Sequence, residues 1–237
     1  MRCASAGFAI VIVLNGATIL AQAQPSPLDA PTTLRLPASL PACGIDTVLV
    51  ALARTAHVAT GFEYADDCRD RFLPVDVTYD LSGRTAVTTR EALDQLVALV
   101  PDYAWKDMDG VAVVRSRKAW ADSSNALNAR MAAFRFADTT LSETMAALLR
   151  LPARDSRLDT QHFTLAFNGG TVTEALNALV RARGHVGWKA GVLYHGSLSD
   201  PAPSLQVSVR TFNAGDRAPD EGALSMATPV PRFLSGN

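Results

Sequence analysis

Glu91-Ala92-Leu93-Asp94-Gln95-Leu96-Val97 recurs as Glu174-Ala175-Leu176-Asn177-Ala178-Leu179-Val180, and the same offset carries Trp105-Lys106 onto Trp188-Lys189. Leu93 with Leu96, and Leu176 with Leu179, stand three apart, the spacing that lines one face of a helix. A repeat this long reads as a duplicated module rather than a stack of short solenoid units. Each copy opens on a capping signal, Thr88-Thr89-Arg90-Glu91 and Thr171-Val172-Thr173-Glu174. There the first threonine accepts from the amide three residues on, while the glutamate reaches back. Each copy closes on a hairpin signal. Residues 103–106 and 111–114 flank Asp109-Gly110, a pair suited to a turn with positive φ. Val186 and Trp188 lead through Ala190-Gly191 to Val192, Leu193 and Tyr194, a shorter version of the same pattern.

Working outward, Ile45, Val48, Leu49, Leu52 and Ala56 fall on one face of a helix over 44–57, with Gly61 as its stop. Leu34 and Leu36 around Arg35, Phe62 with Tyr64, and Val75, Val77 and Tyr79 alternate as half-buried strands do. In the second half, Phe134 and Phe136 echo Leu34 and Leu36. Thr140-Leu141-Ser142-Glu143 caps a stripe of Leu141, Met145, Leu148 and Leu149; Phe163, Leu165 and Phe167 alternate, and Gly184 stops the last helix. The expected fold class is α+β: two tandem small modules, each with two helices on short strands and a C-terminal hairpin. The boundaries are 33–117 and 132–197. The second module is shortened, because 154–161 is polar and lacks a strand signal. A flexible segment at 24–32 precedes them, an Ala-, Ser- and Asn-rich linker at 118–131 joins them, and 198–237 reads as a mostly disordered tail in which Leu205, Val207 and Val209 form one strand.

Residues 1–23 read as a secretory signal peptide: Met1-Arg2, an apolar run from Gly7 to Leu20, then Ala21-Gln22-Ala23 as a small-x-small cleavage site. Asn15, Gly16 and Thr18 interrupt the run, against a membrane span, which needs about 20 consecutive apolar residues. Export implies a compartment in which thiols oxidise. Cleavage removes Cys3 and leaves Cys43 and Cys68. A bridge between them closes a loop of about 26 residues, for which chain entropy gives roughly 3 kcal/mol; two separate buried thiols are the other reading. The net charge of −1 and the lack of a basic stripe argue against a nucleic-acid or anionic-membrane partner.

The order strand, helix, strand, strand, helix with E-A-L-x-x-L, then hairpin resembles the short N-terminal domain shared by secretins and TonB-dependent receptors. Leu34-Arg35-Leu36-Pro37, Glu91-Ala92-Leu93 with Leu96, and Trp105 carry the likeness in the first copy. Phe134-Arg135-Phe136-Ala137, Glu174-Ala175-Leu176 and Trp188 carry it in the second. The resemblance implies a periplasmic, outer-membrane-associated module without catalytic residues or cofactor, which binds other proteins in signalling or assembly. The sequence departs from that family in showing no pore segment, plug or barrel after the modules.

The sequence contains no G-x-S-x-G, H-E-x-x-H, C-x-x-C pair or phosphate loop. Gly169-Gly170 reads as a tight turn into a capped helix. His57, His162, His185 and His195 include no i, i+4 pair, and His57 and His185 suit helix ends. Asp66, Asp67 and Asp70 lack the ordered spacing of a calcium loop. Neither a metal site nor a catalytic residue is assigned. Trp105, Trp188, Leu93, Leu96, Leu176 and Leu179 are expected to be structural. Trp120 is left as either a packing residue between modules or an exposed contact. The expected function is a non-enzymatic protein-interaction protein. The alternatives are a small-ligand or cell-wall-sugar binder using Trp105, Trp188, Tyr103 or Tyr194, and a periplasmic hydrolase.

Overall fold

The computed structural model describes residues 26–35, 39–41, 44–64, 78–80, 85–150, 161–184, 186–193, 204–211 and 223–229. Cys43, Cys68, Asp66, Asp67, Asp70, His185, Tyr194, His195 and the proposed signal peptide lie outside these residues. Among the described residues the fold mixes five α-helices with a mixed sheet.

The helices form where the apolar period places them. α1 (Ile45–Ala56) buries Ile45, Val48, Leu49 and Leu52, and ends at His57 in the left-handed region with φ 54°. α2 (Thr89–Leu99) buries Leu93 and Leu96; Thr88 Oγ1 accepts from the Glu91 amide at 3.1 Å. After α3 (Arg117–Ala121), α4 (Leu141–Leu148) and α5 (Val172–Arg183) both begin with complete capping boxes, at Thr140/Glu143 and Thr171/Glu174. Gly184, with φ 71°, ends α5.

The strands are β1 (Pro31–Arg35), β2 (Ser39–Pro41), β3 (Thr60–Glu63), β4 (Thr78–Asp80), β5 (Thr85–Thr88), β6 (Tyr103–Met108), β7 (Val111–Ser116), β8 (Arg130–Met131), β9 (Phe134–Thr139), β10 (Phe163–Phe167), β11 (Gly170–Thr171), β12 (Val186–Leu193), β13 (Ser204–Thr211) and β14 (Ala223–Pro229). Six of them make one sheet in the order β14-β13-β12-β3-β7-β6; the rest pair as β1-β5, β2-β4, β10-β9 and β11-β8. β3 runs parallel to both its neighbours, β7 and β12. The β6–β7 turn at Asp109 and Gly110 has φ 56° and 81°, the positive pair of a tight hairpin.

This sheet lies between two helical layers. Along β7, Ala112 and Val114 pack with α1 and α2, while Val111 and Val113 pack with α4 and α5. Successive side chains on a strand face opposite ways, so one strand serves both cores. The two halves of the chain therefore do not each build a separate sheet. Their strands meet at the β3–β12 seam, with Trp188 opposite Gly61.

Four sequence expectations change. The segment read as a linker, 118–131, contains the end of α3 and a short 3-10 turn at Ala126–Asn128, and buries Leu127 completely. Ala190-Gly191 is not a turn: β12 runs straight through it and pairs antiparallel with β13 over its whole length. In the region read as a mostly disordered tail, β13 is the one strand expected at Leu205, Val207 and Val209, which are buried with α4 and α5, and β14 adds a second strand that the sequence reading did not include. The segment read as flexible, 24–32, includes a 3-10 turn at Pro27–Asp29 that buries Leu28 between α1 and α2. Each case has one cause: short apolar stretches took their surroundings from parts of the chain distant in sequence. Among the described residues, no helix is long and apolar enough to cross a membrane.

Candidate functional site

The repeated tryptophans make the same bond. Trp105 Nε1 donates to Asp94 Oδ1 at 2.8 Å, and Trp188 Nε1 donates to Asn177 Oδ1 at 2.8 Å. Each bond ties a strand to the helix before it. The strands, however, hold unequal positions. β6 is at the sheet edge, so Trp105 is half-buried and Asp94 exposed; β12 is interior, so Trp188 and Asn177 are buried. The difference in residue type follows. An isolated carboxylate is costly to bury, and the buried copy carries the neutral amide instead. Burial also removes Trp188 from any role in stacking a sugar. Leu93, Leu96, Leu176 and Leu179 are all in the cores.

Gly61, read as a helix stop, is instead the seat of Trp188. A Cβ there would lie 2.4 Å from the indole ring. Gly191 leaves room in the same way for the Tyr64 ring, 3.3 Å from where its Cβ would be.

Between the layers lies a polar cluster that sequence reasoning missed. Arg115 is fully buried on β7. Its Nε donates to Glu63 Oε2 at 2.5 Å, Nη1 to Asn128 Oδ1 at 2.7 Å and Thr173 Oγ1 at 3.3 Å, and Nη2 to Asn125 Oδ1 at 2.9 Å and the Ala119 carbonyl at 3.4 Å. A guanidinium has five N–H donors, and all five are used. Asn125 Nδ2 completes the ring by donating to Glu63 Oε1 at 2.7 Å. The cluster joins β3, β7, the end of α3, the 3-10 turn and α5. A buried charge pair with its guanidinium donors all engaged holds these elements in place.

Among the described residues, two clefts carry ionisable side chains. At the first, Tyr64 Oη donates to Asp46 Oδ2 at 2.6 Å and accepts from Lys189 Nζ at 3.2 Å. The adjoining crevice, lined by Leu49, Thr60, Phe62 and Trp188, offers about 20 Å³, room for a water but not for a substrate. The second, about 230 Å³, lies between the β6–β7 turn and α5. Its carboxylates are engaged: Asp107 with Arg90, Ser26 and the Gly110 amide, Asp109 with Arg181, and Glu174 with Thr171. Asn177 Nδ2, buried nearby, has no hydrogen-bond partner.

His57 caps α1. The exposed His162 Nδ1 lies 3.1 Å from the Asp138 carbonyl and 3.3 Å from its carboxylate. The carbonyl first, then the charges of Asp138 and Glu143, hold the imidazole above its usual value. Among the described residues, no group of three or more His, Cys, Asp or Glu side chains could hold a metal ion.

Trp120 lies over the β6–β7 pair. Its Nε1 donates to the Ala104 carbonyl at 3.2 Å; Lys106 Nζ stands 4.1 Å from its ring centroid and the Arg115 guanidinium 4.7 Å. Arg181 Nη1 reaches the Met108 carbonyl at 3.5 Å. Both carbonyls belong to residues paired with β7, Ala104 with Arg115 and Met108 with Val111.

No family model, no curated protein and no solved structure matches the chain in the comparisons made with each.

Proposed function

We infer that this is a non-enzymatic, exported protein-interaction protein built from two diverged copies of one module, similar to the short N-terminal domain of secretins and TonB-dependent receptors. It works in the periplasm, near the outer membrane, by docking other proteins. The observation that carries the reading is the repeated tryptophan bond, Trp105 to Asp94 and Trp188 to Asn177, following equivalent threonine caps at Thr88 and Thr171. Duplication preserved the residues that fix a strand to a helix. Strand pairing at an edge of the six-stranded sheet is the mode proposed, because an edge strand presents unpaired backbone groups to a partner.

The test is hydrogen exchange on the mature chain with a partner crosslinked and purified from periplasmic extract. Protection confined to an edge strand is the expected result. Protection elsewhere, or no saturable partner, overturns the reading.

A further inference from the structure

The larger cleft, about 230 Å³ between the β6–β7 turn and α5, keeps polar edges that the fold does not use. Glu174, Asn177 and Arg181 line it at i, i+3 and i+7 of α5, the spacing of one helix face. Asn177 is 1 % exposed. Its partner, the Trp188 indole N–H, only donates, so Oδ1 must face the ring and the amide nitrogen is left over. That Nδ2 is buried without a hydrogen-bond partner among the described residues. Buried N–H groups are nearly always paired, so an unpaired one requires a reason. The bond to Trp188 calls for an acceptor and does not account for the free NH2 beside it.

The neighbouring groups are half used as well. Glu174 takes the Thr171 amide and hydroxyl on Oε2 alone. Arg181 reaches the Met108 and Asp109 carbonyls and Asp109 Oδ2 through Nη1 alone. Among the described residues, Glu174 Oε1 and Asp109 Oδ1 remain as acceptors, and Arg181 Nε and Nη2 as donors. Asp107 stands apart, with both oxygens engaged by Arg90, Ser26 and the Gly110 amide. In the first copy the equivalent positions hold Glu91, Asp94 and Ala98, so the amide and the guanidinium belong to the second copy alone.

We propose that this cleft binds a small neutral polyhydroxylated ligand, the size of one monosaccharide. Pairing decides the class. An ammonium group answers Glu174 and Asp109 but sets donors against Asn177 Nδ2 and Arg181. A carboxylate or phosphate answers Asn177 and Arg181 but meets Glu174, Asp107 and Asp109 as like charges. A hydroxyl both donates and accepts, so neighbouring hydroxyls satisfy the two sets together. A peptide carries both roles too, but spaces them at ~3.3 Å per residue along an extended chain, whereas a sugar ring gathers several hydroxyls in one place. At ~30 Å³ per water, the cleft has the space of roughly eight waters, far more than one bridging water needs. It lies below the ~300 Å³ at which sites for drug-sized ligands begin, and a single sugar ring fits between these limits. The site does not depend on the protein-docking reading, nor on the aromatic rings Trp105 and Trp188.

An NMR titration of the isotopically labelled mature chain reads the site directly. Glucose, galactose, mannose and N-acetylglucosamine are added separately to about 50 mM, which covers weak complexes. At least one is expected to shift the Asn177 side-chain amide and Trp188 indole signals saturably. Putrescine, acetate and N-acetylglycinamide stand for the cationic, anionic and peptide alternatives, and are expected to leave those signals in place. Arg181→Met keeps the apolar stem and removes the donors, and is expected to weaken the sugar by about tenfold or more, the loss of one charged hydrogen bond. Should that variant unfold, Glu174→Gln decides. Glutamine still serves the capping box, while its free edge becomes a donor, and the same weakening is expected. The proposal is overturned by the absence of a saturable shift with any of these sugars, by equal or larger shifts with putrescine, acetate or N-acetylglycinamide, or by unchanged sugar affinity in the folded variant. A chain without sugar affinity leaves protein docking standing, and a chain that binds sugar but captures no partner leaves this site standing.

Discussion

Asp94 and Asn177 accept the same indole proton in two different surroundings, and the surroundings set what each tolerates. Asn177→Asp puts a carboxylate where Asn177 is 1 % exposed. The expected loss is about 3 kcal/mol or more at neutral pH, because one indole bond does not offset a buried charge. Burial raises the carboxyl's folded-state pKa, so the neutral acid forms as pH falls and the deficit against wild type shrinks toward pH ~4. Asp94→Asn, on the exposed copy, is expected to change stability by less than ~0.5 kcal/mol. Urea denaturation at several pH values checks both. His162 gives a second pH reading with the same sign. Its imidazole is held above the usual ~6.5 by Asp138 and Glu143. The contact's contribution is therefore complete below the unfolded pKa and lost as pH rises through the folded one. An NMR titration is expected to place its midpoint above that of Asp138→Asn. The capping threonines, the leucine stripes and the Asp109-Gly110 turn were all legible in the sequence, because each depends on residues within four positions. Arg115 was not. Between Val114 and Ser116 it reads as the solvent side of a strand, and nothing local reveals that helices cover both faces of β7.

The elements show the same divide. α1, α2, α4 and α5 follow the apolar period, and β9 and β10 follow alternation. What local pattern did not carry is the β3–β12 seam, a parallel pairing between strands far apart in sequence. Gly61 looked like a helix stop because a glycine shortly after an apolar stripe usually is one; its actual role depends on Trp188. Gly61→Ala is expected to cost about 1–3 kcal/mol through overpacking, since the added methyl would lie 2.4 Å from that ring. Trp188→Leu makes room for the methyl at its own cost. The double substitution should therefore cost less than the sum of the two alone, by ~1 kcal/mol or more. Simple additivity in a denaturant-based double-mutant cycle would mean that the ring does not rest on Gly61. The segment at 118–131 differs from its sequence reading for a related reason. Its alanines, serines and asparagines resemble a linker, yet Asn125 and Asn128 face Arg115 and Leu127 is buried. A polar composition marks a buried hydrogen-bonding segment as readily as a solvated one.

At the scale of the whole molecule, duplication in sequence does not mean independence in folding. Val111 and Val113 from the first half complete the core beneath α4 and α5, and β12 from the second half lies against β3. The Arg115–Glu63 cluster draws donors and acceptors from both halves. Cutting the chain between them would expose apolar faces of one sheet and leave a buried guanidinium without its acceptors, so neither half has a reason to fold alone. A single cooperative transition is expected on denaturation, with indole fluorescence and far-ultraviolet circular dichroism coinciding as two-state unfolding requires. Glu63→Gln leaves Arg115 buried without its counter-charge, and breaking such a pair costs about 3–5 kcal/mol. If the two halves form one unit, that loss lowers the midpoint of the whole curve and the probes still coincide. If they fold independently, the curve separates into two steps, and only the step that reports the region around Arg115 moves.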